Sequence, residues 1–205
     1  MATVRTRIGP ADHGRKMTPV EFWHYETQPG YLHELARGVL EVVQIPGEPH
    51  YQVVHNLQEM LSEHGRLHPR PILRIGRGSN VQYIIPELET DRNPDLAVVF
   101  RDIPDRDVRG RRLNVLGVEV VSPGNRARDR DYVPKREDYL AVGLHEYWIV
   151  DPELRMVTVL ERRLVDGVAA WAERVFRGEE VIASGLLPGF AGTVAGLWAD
   201  LDELG

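Results

Sequence analysis

Apolar positions along the chain fall into two regimes. Val53, Val54, Leu57, Met60 and Leu61 recur at helical spacing and give one apolar stripe, on a helix that opens at Pro49 and stops near Gly65. Residues 96–100 and 115–121 are instead apolar almost without a break. Short runs of this kind predict strands covered on both faces, in the middle of a sheet. Further strands are predicted over 71–75, 80–85 and 146–150, with a closing pair over 156–162 and 169–176 that turns at Asp166-Gly167. Near the start, Thr18-Pro19-Val20-Glu21 is a capping box with proline at the first helical position, predicting a short helix over 19–28. Residues 31–36 and 39–43 flank Arg37-Gly38 and read as a hairpin. A helix over 131–142 closes at Gly143, and a last one is expected over 193–204. Residues 1–16 have no periodicity and contain Gly9, Pro10 and Gly14, so a flexible arm is expected there. Residues 17–205 then form a single mixed α/β domain.

Composition narrows the functional classes. The 205 residues are 42% hydrophobic and 27% charged, as in globular proteins. Cysteine is absent, which excludes disulfides, thiolate metal sites and a cysteine nucleophile. No apolar run approaches the roughly 18 residues of a membrane span. Arg5, Arg7, Arg15 and Lys16 precede no apolar stretch, so no secretory signal is read and a cytoplasmic location is expected. The net charge of −6 argues against a protein that coats nucleic acid. Residues 101–138 run the other way, with nine Arg and one Lys against eight Asp and Glu. The chain has only two lysines, Lys16 and Lys135. Phosphate-loop, G-x-S-x-G and H-E-x-x-H motifs are absent. His64 and His68 have zinc-ligand spacing, but Gly65 and Pro69 argue against a helix that would hold them. His50 and His55 point in different directions and read as solvated or partly buried.

The acids carry more information. Asp95 opens an apolar run directly after Pro94, and Glu119 lies inside another. A carboxylate in a strand covered on both faces is costly unless it is paired or holds a metal. Alternation puts Val118 and Val120 on one face and Glu119 on the other with Gly117, whose small size leaves space beside it. Two carboxylates on adjacent central strands can hold Mg²⁺, which takes oxygen ligands. Such an ion activates water and offsets charge on a phosphoryl group, and a nearby lysine completes the set.

Pro94-Asp95 followed by Glu119-Val120-Val121 resembles the PD-(D/E)XK signature of restriction-endonuclease-like nucleases, with Val121 where the lysine usually stands. The longer pattern, from Val118-Glu119-Val120-Val121-Ser122-Pro123 through Asp131, Lys135, Tyr139 and Gly143 to Glu146-Tyr147-Trp148-Ile149-Val150-Asp151, resembles the Uma-two type of restriction endonuclease. The likeness runs from about Thr18 to Leu201. It implies a mixed central sheet flanked by helices, with extra β-hairpins at an edge. It implies metal-dependent cleavage of DNA, with Mg²⁺ or Mn²⁺ on Asp95 and Glu119. Lys135 matches a lysine displaced onto the following helix, and Glu34 is a further candidate acid. Asp131 is expected to cap that helix, and Tyr147 and Trp148 to lie in the core. Arg109, Arg111, Arg112, Arg126 and Arg128 are the expected phosphate contacts. A homodimer is expected for cutting both strands. Val121 and the net charge also leave a second reading open: a noncatalytic nuclease-fold scaffold or nucleic-acid-binding partner.

Overall fold

The structure is a computed structural model that describes residues 7–68 and 72–203, without the side chains of residues 79, 80, 125, 126 and 202. Residues 7–16, expected as an arm, are built into the fold. Arg7–Ile8 (β1) pairs in parallel with Glu26–Thr27 (β2), and Ile8 is fully buried beside Met17, Phe22, Leu35 and Leu40. One large aliphatic side chain with a cavity to fill outweighs a local sequence without periodicity. The Thr18 hydroxyl accepts from the Glu21 N–H at 3.2 Å and the Glu21 carboxylate accepts from the Thr18 N–H at 2.7 Å. That capping box starts α1 (Pro19–His24), which stops short of residue 28 because the chain leaves it to form β2.

The hairpin Tyr31–Ala36 (β3) and Val39–Gln44 (β4) turns as expected at Arg37-Gly38, both with positive φ. Helix α2 (Glu48–Leu67) buries Val53, Val54, Leu57 and Leu61, the predicted stripe, and runs past Gly65. Next come Ile72–Gly76 (β5), Tyr83–Ile85 (β6) and Thr90–Arg92 (β7). Leu96–Phe100 (β8) and Leu116–Val120 (β9) follow, buried along their whole length. Helices α3 (Asn125–Tyr132) and α4 (Pro134–Val142) cross over to Glu146–Asp151 (β10). Met156–Val165 (β11) and Val168–Arg177 (β12) close the sheet. A six-stranded sheet in the order β12-β11-β10-β9-β8-β5 puts the apolar runs in its middle, with β9 and β10 its parallel pair. A four-stranded antiparallel sheet, β4-β3-β7-β6, stands beside it.

Two expectations fail for local reasons, and one strand is present that none of the expectations covered. The helix expected over 131–142 is two helices, broken at Val133, because the residue before a proline avoids the helical region. The last helix is two short 3₁₀ turns, Ala195–Trp198 and Leu201–Glu203, separated by Asp200 at φ 62°. Strand β7 has no apolar residue at all, yet Thr90, Asp91 and Arg92 are fully buried. Partners from other elements make this affordable: the Thr90 hydroxyl accepts from the Arg37 N–H, and Arg92 meets Glu34, Glu41 and Asp138.

Asp91 is the less satisfied member. Trp23 donates its indole N–H to one oxygen at 2.8 Å, and the other oxygen has no partner. Burial pushes its pKa up to about 6 from 3.8, against the pull of the Trp23 bond. A carboxyl raised on folding contributes stability that is present below its unfolded pKa and lost as pH rises through the folded one. Wild-type protein should therefore lose up to about 3 kcal/mol between pH 4 and pH 7 at this position. Asp91→Asn keeps an acceptor for Trp23 and should not show that loss. Urea unfolding of both proteins at pH 4, 5.5 and 7 measures it, and parallel pH profiles would refute it.

Candidate active site

Glu34, Asp95, Glu119 and Lys135 come from β3, the residue before β8, β9 and α4, yet all four line one pocket of about 680 Å³. Strand alternation directs Glu119 toward α4, where it is 3% exposed. There it accepts a hydrogen bond from the Tyr139 hydroxyl and faces the Lys135 ammonium at 2.9 Å. The space expected beside Gly117 is filled, since a Cβ there would stand 2.7 Å from Leu144 Cδ2 and 3.2 Å from the Tyr83 oxygen. Val121, two residues beyond Glu119, is buried in the apolar core. The ammonium in the site arrives from α4 instead.

Lys135 is 3% exposed and enclosed by carboxylates: Glu119, Asp131 Oδ1 at 3.4 Å and Glu34 Oε2 at 3.6 Å. Burial favours its neutral form, but Glu119, Glu34 and Asp131 outweigh that and hold it charged. Burial also raises Glu119, to about 8; Lys135 opposes the rise, and Asp95, Asp131 and Glu34 add to it. Glu34 goes the other way. Burial pushes it up, but Lys135, Arg92 and the Asn93 N–H at 2.8 Å together bring it below the ordinary range.

Asp131 does not cap a helix. It lies in the last turn of α3, 1% exposed, between Lys135 and Arg130, and its Oδ2 has no hydrogen-bond partner. Burial raises its pKa, with Lys135 and Arg130 opposing.

Asp95 is held by backbone geometry. The β8–β9 ladder ends with Leu96 opposite Val118; extended in the same register, its second further pair would set Pro94 opposite Val120. A proline has no N–H to give, so the Val120 carbonyl gains no bond from it and the ladder opens. Asp95 Oδ2 takes the Val120 N–H at 2.8 Å instead. The His50 ring, on the first turn of α2, fills the opening: its Nε2 lies 2.9 Å from the Val120 oxygen and 3.2 Å from Asp95 Oδ2. In the sequence His50 matches the start of the family's first long helix and has no metal-ligand spacing; the fold brings it to Asp95 and the Val120 carbonyl.

Arg109, Arg111, Arg112 and Arg128, four of the five expected phosphate contacts, do not line this pocket. Arg111 pairs with Asp107 at 2.8 Å, Arg128 with Asp151 at 2.9 Å, and Arg112 donates to the carbonyls of Arg101 and Ile103. Arg109 stands over the Trp23 ring and near Gln82. These loops satisfy their own acids and carbonyls first, which a charge count along the sequence does not reveal. The Arg126 side chain lies outside the described residues. The arginine that does line the pocket is Arg130, and Tyr147 and Trp148 are fully buried in the core.

Among the described residues, no three His, Asp or Glu side chains form a metal-holding group by themselves. The donor chemistry nevertheless fits a hard divalent cation. Asp95, Glu119 and the Val120 carbonyl are oxygen donors, and acids outnumber Lys135 and Arg130 around the pocket. Asp131 Oδ2 is a buried oxygen still without a partner. Mg²⁺ keeps several waters and needs few protein ligands, so an incomplete cage suffices.

A mixed α+β sheet with acids and a lysine gathered at its central strands is a nuclease-like architecture. The solved structure of an Anabaena variabilis ATCC 29413 protein, described as "a putative nuclease belonging to DUF820", is similar with a TM-score of 0.68 and 15% identity, over 90% of this chain and 99% of that one. No curated protein matches the sequence. The model of the Uma2 family, described as "Putative restriction endonuclease", matches residues 19–195, and the chain belongs to that family.

Proposed function

We propose that the protein is a divalent-metal-dependent endonuclease acting on DNA. The observation that supports this most is the convergence of Glu34, Asp95, Glu119 and Lys135 in one pocket, with Lys135 2.9 Å from Glu119 although Val121 occupies the usual lysine position. Asp95, Glu119 and the Val120 carbonyl would hold Mg²⁺ or Mn²⁺, which when bound supplies an activated water and a charge for the phosphate. Lys135, kept protonated by its three carboxylates, orients the attacking water or steadies the scissile phosphate. Glu34, anionic and tied to Arg92 and Asn93, sets the position of that ammonium. The acid surplus around the pocket disfavours a phosphate until a cation offsets it. DNA affinity without metal is therefore weak, more so because Arg111, Arg112 and Arg128 already have partners.

A two-fold dimer would supply one site per strand of a duplex. The deciding experiment is incubation with plasmid and single-stranded DNA in Mg²⁺, in Mn²⁺ and in chelator, on protein sized by light scattering. Cleavage should require metal and run in a particle of twice the 23.3 kDa chain mass. A metal-dependent monomer would remove the dimer alone. Absence of both cleavage and metal binding would leave the noncatalytic scaffold.

A further inference from the structure

We propose that His50 is a nitrogen donor to the cation position at the end of β9, making a mixed imidazole, carboxylate and carbonyl site that favours Mn²⁺ over Mg²⁺. The inference rests on the metal-dependent reading above and goes beyond it, because that reading needs only oxygen donors.

Three observations converge on this. First, His50 Nε2 stands 2.9 Å from the Val120 oxygen and 3.2 Å from Asp95 Oδ2. Neighbouring ligands of an octahedral ion, each about 2.1 Å from it, are about 3 Å apart, so these separations suit shared ligation as well as hydrogen bonding. Second, the β8–β9 ladder ends at Leu96–Val118, so the Val120 carbonyl lies beyond it and faces His50, while Pro94, which an extended ladder would set against it, has no N–H to offer. Within the strand pair this oxygen would otherwise be committed to the ladder. Third, the ring is only 10% exposed and is carried near the start of a 20-residue helix whose stripe is locked into the core. A donor mounted in this way loses little freedom on binding.

The alternative role for His50 is to hold Asp95 by a hydrogen bond and never touch the ion. The two roles differ chemically. A histidine that only positions Asp95 supports every divalent cation through the same oxygens, so its loss weakens them alike. A ligating imidazole discriminates. Mg²⁺ is a hard ion that prefers oxygen, whereas the first-row metals accept imidazole nitrogen.

The test uses the full metal-free chain and titrates it with MnCl₂ and MgCl₂ by calorimetry, for wild type, His50→Gln, His13→Gln and Glu119→Gln. Glutamine keeps the size and polarity of the side chain while removing the ring nitrogen. His13 is the control because it lines the same pocket. Wild type should bind Mn²⁺ more tightly than Mg²⁺. His50→Gln should weaken Mn²⁺ by about tenfold or more and Mg²⁺ by much less, closing the gap, while His13→Gln leaves it. Pulsed electron paramagnetic resonance of the Mn²⁺-loaded wild type should show ¹⁴N coupling from a bound imidazole. This readout needs no variant to fold. Mn²⁺ binding that depends on Glu119 but shows no ¹⁴N coupling, or equal losses for both ions in His50→Gln, overturns ligation by His50 and leaves the nuclease reading intact. Wild-type protein that binds neither ion at millimolar concentration overturns both.

Discussion

Lys135→Met should abolish cleavage and destabilise the fold by about 3–5 kcal/mol at neutral pH, a cost typical of breaking a buried ion pair from one side. Glu119, Glu34 and Asp131 would face one another without the ammonium that now lies within 3.6 Å of all three. Arg92 and the Asn93 N–H would still serve Glu34, so the strain concentrates on Glu119 and Asp131. Both already sit above the ordinary carboxyl range because they are buried, and loss of the lysine raises them further. The variant's deficit should therefore grow as pH rises and shrink toward pH 5, where these groups bind protons. Adding Asp131→Asn should recover part of the stability but none of the turnover. Urea unfolding beside a cleavage assay reads both. Recovery of cleavage in the double variant would mean that Lys135 only neutralises its neighbours.

Glu119→Gln should be inactive and should lose metal binding, yet be as stable as wild type without metal, or more stable. The amide keeps an acceptor for Tyr139 and Lys135 and removes a charge that burial and three other carboxylates oppose. Sign and range follow from the raised carboxyl: wild type loses stability as pH rises from about 4.5 to about 8, and the variant does not. The gain should be visible in thermal melts at pH 8 and absent near pH 4. Mn²⁺ should raise the melting temperature of wild type only. A variant that melts well below wild type at pH 8 would show that Glu119 is anchored for structure.

Much of this site is legible before any coordinates. Unbroken apolar runs place β8 and β9 in the middle of a sheet, so an acid at the end of one and inside the other stands out. The scarcity of lysine singles out Lys135. Other parts depend on contacts that no local pattern encodes. Asp131 looks like a helix cap because it precedes an apparent helix start. Its true place becomes clear only with the break at Val133, which carries it into the end of α3 against Lys135. Strand β7 is invisible because Thr-Asp-Arg has no strand signature; it exists because Glu34, Glu41, Asp138, Trp23 and Arg37 come from elsewhere to meet it. The basic loops are read incompletely for the same reason. A charge count sees arginines, while the folded chain spends them on Asp107, Asp151 and main-chain carbonyls. The family likeness places His50 only at the start of a long helix; its partners, Asp95 and the Val120 carbonyl, lie 45 and 70 residues further along.

The delivery of Lys135 by α4 ties the site to the order of assembly. Strands β9 and β10 are parallel, so the segment between them must cross over before the sheet can close. Helix α4 is fastened at Asp138 by Arg92 and Arg37, reached from β7 and the β3–β4 turn. A chain still emerging from the ribosome, or one with this crossover transiently detached, has its acids in place without their cation. On the proposed chemistry such a chain cannot cut. Competence to cut would then appear only once α4 docks, and amide exchange across α4 would report the lifetime of that state.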